Sequence, residues 1–187
     1  MERLLAWSRA ALWPVLLIVV WWSWGVERDW RFHALVVLLV FSAVFMAWWQ
    51  KRLYLVAITM LFVGMVGMLS YLQYLDAGGV GVLVIYVALC VLLWLSSLTA
   101  FQTYLLSPRK PVVFAYIAAV VFICLELFWL LAMLAADPTV RSAIVISVFH
   151  ILFAMIALNE WQKLNAKNFR FYLVSLALLI TVFLRLM

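Results

Sequence analysis

The sequence predicts an all-α protein, a polytopic transmembrane helical bundle of about seven spans with its N-terminus in the cytoplasm. Three observations predict it. Of 187 residues, 71% are hydrophobic and only 11% charged, where an ordinary soluble domain carries about 25% charged residues. Apolar stretches close to the ~20 residues needed to cross hydrocarbon recur along the whole chain. The short breaks between them share out Lys and Arg unevenly. Mean hydropathy is +1.23, so polar surface is too scarce to coat a globule and the solvent must be lipid. Composition does not shift along the chain, and residues 1–187 read as a single integral membrane domain.

The N-terminal stretch "MERLLAWSRAALWPVLLIVVWWSWG" has the basic start and apolar run of a secretory signal. It lacks a small-residue cleavage site and ends in Trp21, Trp22 and Trp24, so it reads as a retained span over about Ala10–Trp24. That span is short unless Leu4–Ala10 extends it. After "GVERDWRF" the second span runs over about His33–Trp49, and after "QKR" the third covers Leu53–Leu75. "DAGGVG" precedes a fourth over Val80–Leu106, and "SPRKP" a fifth over Val112–Ala135. "ADPTVR" leads into a sixth over Ser142–Leu158, and "NEWQKLNAKNFR" into a seventh over Phe171–Met187, whose Arg185 snorkels to the interface. Open sheets cannot cross lipid, because unpaired backbone groups are too costly there, and unbroken apolar runs of this length are not barrel strands.

With the N-terminus inside, nine cations fall on the cytoplasmic side: Arg3, Arg9, Lys51, Arg52, Arg109, Lys110, Lys163, Lys167 and Arg170. Four fall outside: Arg28, Arg31, Arg141 and Arg185. That bias sets the orientation, in the cytoplasmic (inner) membrane of a cell. Trp7, Trp48, Trp49, Tyr54, Tyr104 and Trp161 then fall near the inner interface. Trp21, Trp22, Trp24, Trp30, Tyr71 and Tyr74 fall near the outer one, as aromatic belts require. A net charge of +6 is explained by this topology, and no nucleic-acid partner is expected. Small residues Ala57, Gly64 and Gly67 on the third helix, and Ser96, Ala100 and Thr103 on the fourth, let those two helices pack closely. Met60, Met65 and Met68 read as adaptable packing in preference to a soft-metal path.

The chemistry of the loops is sparse. Their longest stretch is the dozen residues Asn159–Arg170, which leaves no room for a soluble domain. No phosphate cradle or zinc helix occurs. Cys90 and Cys124 lie inside apolar runs without metal or disulfide spacing. Lysines sit only at helix ends, so a buried Schiff base has no candidate. His33 and His150 differ too much in depth for a shared haem, and Ser147 with His150 lacks the elbow and oxyanion hole of a nucleophile pair. No catalytic residue, metal or cofactor is expected.

One exception stands out. Glu126 lies inside "VFICLELFWLL", about 21 Å along its helix from Val112. His150, about 12 Å from Ser142, falls at a similar depth, and the short "ADPTVR" makes the two helices antiparallel neighbours. Intramembrane ionisable groups should face the bundle interior and find a partner. Glu126 and His150 are therefore expected as an inward-facing polar pair.

Around "LELFWLL" the chain resembles uncharacterised small seven-helix membrane proteins of candidate-phylum bacteria. The likeness extends over the fifth and sixth helices and implies no activity or binding residues. The reading that follows is a non-enzymatic scaffold or accessory subunit of a membrane complex. Its partners are the bilayer and other membrane subunits or further copies of itself. The alternative is a proton-coupled transporter or small-solute channel using Glu126 and His150. A lipid-modifying enzyme, third, would rest on Gln102, Thr103, Arg109 and Lys110 at the inner rim.

Overall fold

The computed structural model describes residues 2–26, 30–50, 53–74, 79–104, 112–134, 137–160, 169–175, 177–178 and 181. Every regular element among them is helical. They run α1 (Glu2–Val26), α2 (Trp30–Gln50), α3 (Leu53–Tyr74), α4 (Gly79–Tyr104), α5 (Val112–Ala132) and α6 (Pro138–Glu160). Residues 169–175 are helical as well. Four helices are long and apolar enough to cross a membrane, over Leu53–Gln73, Gly79–Phe101, Val112–Ala132 and Pro138–Asn159. The apolar parts of α1 and α2 are shorter, Ala10–Val26 and Trp30–Phe45. Most of the seventh expected span and the cations Arg28, Lys51, Arg52, Arg109, Lys110, Lys163, Lys167 and Arg185 lie outside the described residues.

Two boundaries differ from the expectation, each for a local reason. Helix α1 starts at Glu2, so the helix continues through Leu4–Ala10 although its apolar part begins only at Ala10. Helix α6 starts at Pro138, four residues before Ser142. The Asp137 carboxylate accepts from the backbone N–H of Thr139 at 2.7 Å and Val140 at 3.4 Å, satisfying donors that a helix start leaves open. Proline follows at the first helical position, where its missing N–H costs nothing.

Helix α3 is the hub. It packs against α1, α2, α4 and α6, while α5 lies outside it on α4 and α6. Its side chains Val56, Ala57, Met60, Leu61, Val63, Met65 and Val66 are wholly buried, and the three expected methionines are core packing. A helix packed against four neighbours must share its small positions among them. A Cβ on Gly64 would come 2.7 Å from Leu92 of α4 and 3.4 Å from Val19 of α1. One on Gly67 would meet Ser23 of α1 at 2.9 Å. The close α3–α4 approach is therefore made at Gly64, and by the Ser96 hydroxyl donating to the Ala57 carbonyl at 3.3 Å. Gly67 is a correction: it admits α1, not α4. Phe149 and Phe153 of α6, with Phe101 of α4, form an aromatic cluster at ring separations of 4.8 and 5.3 Å. Trp24 stacks on His33 at 4.2 Å, closing the turn from α1 to α2.

Candidate functional site

Three polar side chains of α6, Arg141, His150 and Asn159, reach across to neighbouring helices. Arg141 is only 3% exposed. Its Nη1 donates to the carbonyls of Leu131 (3.2 Å), Ala132 (3.3 Å) and Leu134 (3.0 Å), the last of α5 and the turn beyond it. Its Nη2 donates to Gln73 Oε1 of α3 at 2.9 Å. A helix end leaves carbonyls without intrahelical donors, and a cation there also meets the negative end of the helix dipole. Arg141 thus caps α5 and ties both α5 and α6 to α3. At the other end of the hairpin, Asn159 donates to the Tyr116 hydroxyl of α5 at 3.4 Å. These two contacts make α5 and α6 antiparallel along their length.

That register puts His150 level with the turn around Leu125, next to Glu126 along the α5 axis. Direction separates them. His150 lies nine residues from Arg141 and nine from Asn159, the two residues that reach α5. Nine residues are two and a half turns. His150 must therefore leave α6 on the side opposite α5, and it does so toward α3, where its Nδ1 lies 2.9 Å from the Tyr54 hydroxyl. The expected inward pair of Glu126 and His150 is a correction. Among the described residues no hydrogen bond or ion pair joins them, and Glu126 is exposed.

The face that Glu126 occupies is set by α5 itself. Ile117, Val121, Cys124, Phe128 and Leu131 are buried at spacings of three and four, one stripe toward the bundle. Glu126 stands opposite that stripe. One turn to either side, Phe122 and Leu130 are 64% and 63% exposed. Helix α5 is long and apolar enough to cross a membrane, and a charged carboxyl in contact with hydrocarbon costs about 3 kcal/mol on insertion scales.

Compared with known protein families, curated proteins and solved structures, the chain matches none. Function must be read from the geometry alone.

Other candidates fall into place around this frame. Cys90 and Cys124 are free thiols, the second fully buried. Among the described residues no group of three His, Cys, Asp or Glu side chains converges as a metal site would need. Arg109 and Lys110, and the side chains of Gln102 and Thr103, lie outside what is described. An apolar crevice of about 650 Å³ opens between α1 and α4, floored by Met68 and Tyr71 of α3. Sequence reasoning missed Arg141, which it placed at an exposed helix end. The Asp-Pro pair was the signal that could have found it, because an α6 starting at Pro138 carries Arg141 a full turn into the helix.

Proposed function

We propose that this chain is a non-enzymatic polytopic protein of the cytoplasmic membrane that serves as a scaffold or accessory subunit of a membrane complex. In this reading it crosses the bilayer seven times with its N-terminus inside. The observation that carries the proposal is the filled centre. Helix α3, where a transporter would need a path, is walled by four helices and packed with buried aliphatic and methionine side chains. Three polar groups beside it serve helix contacts: Ser96 on the Ala57 carbonyl, Arg141 on Gln73, and His150 on Tyr54. The one acid expected to carry protons faces outward. Exposed tryptophans support the spanning orientation, with Trp7 and Trp48 toward one end of α1 and α2, and Trp21, Trp24 and Trp30 toward the other.

The test is reconstitution in liposomes with a pH-sensitive dye inside. A scaffold leaves proton leak and small-solute release at the level of protein-free vesicles. Flux that depends on pH and disappears in Glu126→Gln would refute it and establish the transporter instead.

A further inference from the structure

The outward face of α5 presents a seam rather than a scatter of side chains. Ala115, Ala119, Phe122, Glu126 and Leu130 of α5, with Met133 in the turn just beyond, follow one another at spacings of three and four, and all are exposed. Glu126 lies at its centre. Among the described residues the acid has no partner within the chain, and hydrocarbon offers none. Polar side chains at this depth are expected to pair, and in membranes interhelical hydrogen bonds of this kind hold helices together.

From this we infer that α5 is a homodimer interface, in which Glu126 hydrogen-bonds to Glu126 of a second copy. This rests on the membrane reading above and names the partner within it. Two copies inserted with the same topology can be related only by an axis along the membrane normal. Such a two-fold axis brings every residue to its own depth, so a residue at the seam's centre meets itself. A carboxylic acid both donates and accepts, which makes a face with a single acid complementary to itself. Two carboxyls sharing protons close two O–H···O bonds and leave no charge in lipid. An unrelated helix would instead need a donor of its own at that depth, with the same insertion penalty. Ala115 and Ala119 let the helices approach at the inner end, while Phe122 and Leu130 flank the acids and exclude headgroups. The spacing of three and four residues is the left-handed crossing that most membrane bundles use. A single polar position in such a seam fixes register and the number of copies.

Cross-linking in native membrane vesicles tests the inference, in a background with Cys90 and Cys124 replaced by alanine. Phe122→Cys under mild oxidation is expected to give a product of twice the chain mass. Leu38→Cys, equally exposed but on α2, is expected to stay single. Adding Glu126→Leu should lower the yield at position 122 roughly three- to tenfold, the size of interhelical hydrogen bonds in lipid. Adding Glu126→Gln should preserve it, because an amide also donates and accepts. Positions 38, 122 and 126 are exposed, so changes there leave the core packing as it is in the cysteine-free background. Equal linking at positions 38 and 122, no product at 122, a product with the mass of another chain, or indifference to Glu126→Leu would each overturn the dimer. Liposome flux judges the scaffold reading separately, since a dimer that also conducts protons leaves the pairing intact.

Discussion

A guanidinium inside an apolar bundle persists only where several acceptors converge on it, and Arg141 has four. Its removal leaves the carbonyls of Leu131, Ala132 and Leu134 without their donor and frees Gln73 from α6. Hydrogen bonds to a charged group contribute about 1.5–3 kcal/mol each, and they are not additive. Arg141→Ala should therefore lower stability by about 3 kcal/mol, read as an earlier thermal unfolding transition in detergent. Arg141→Lys should recover little of this, because one ammonium cannot span the α5 terminus and Gln73 together as a planar fork does. A parent-like transition in both variants would mean that water or lipid serves those carbonyls equally well. Tyr54→Phe should cost much less, about 0.6 kcal/mol, the average for a single interhelical bond in a membrane. Single residues were the least legible scale in the sequence. The depth of His150 was counted from Ser142, and the α6 start at Pro138 moves that count by four residues. The directions of Glu126 and His150 could not be counted, because the turn on which Arg141 and Asn159 engage α5 is a tertiary fact.

Helices were far more legible, because an apolar run in lipid must satisfy its backbone internally and has only one way to do so. The limits of α3 and α4 fall within a few residues of the expected ones, and α5 begins at Val112 as expected. The α6 start was misread only because Asp137 and Pro138 were taken as a loop and not as a cap. What apolar runs do not encode is which face turns inward. A helix that is hydrophobic all round shows no stripe, so the small residues of α3 were assigned to α4 alone. The structure divides them, and the division can be tested. At Gly64 an added methyl meets the end of the Leu92 side chain, which can rotate aside. At Gly67 it meets Ser23 Cβ at 2.9 Å and Cα at 3.2 Å, atoms that move only with α1 itself. Gly67→Ala should thus destabilise by about 1–3 kcal/mol, the range for overpacking, and Gly64→Ala by clearly less. Thermal unfolding of the two variants side by side decides it; the reverse order would mean that α4, not α1, is the helix held closest to α3.

At the scale of the whole molecule, helix packing and membrane crossing are linked. Four helices have the length and apolarity of spans, and α1 and α2 carry shorter apolar segments in longer helices. A bundle whose hub helix is enclosed by α1 and α2 as well as by α4 and α6 cannot leave two of those walls in water while the hub sits in lipid. Helices α1 and α2 should therefore cross too, with Pro14 accommodated inside α1 on its exposed side. Alternation then follows from the chain: each short connection returns it to the face it left. On the proposed topology the cations should set which face is which, since "QKR" and "SPRKP" flank α3 and α4 at one end while "DAGGVG" has none. Reporter fusions placed after Arg52, Asp76 and Arg109 should accordingly read cytoplasmic, external and cytoplasmic. A wholly inverted pattern would overturn the orientation but keep the bundle. Matching signals after Arg52 and Asp76 would be the graver result, because the central helix would then not cross the membrane at all. Glu126 would no longer face hydrocarbon by necessity, and its pairing with a second copy would lose its physical cause.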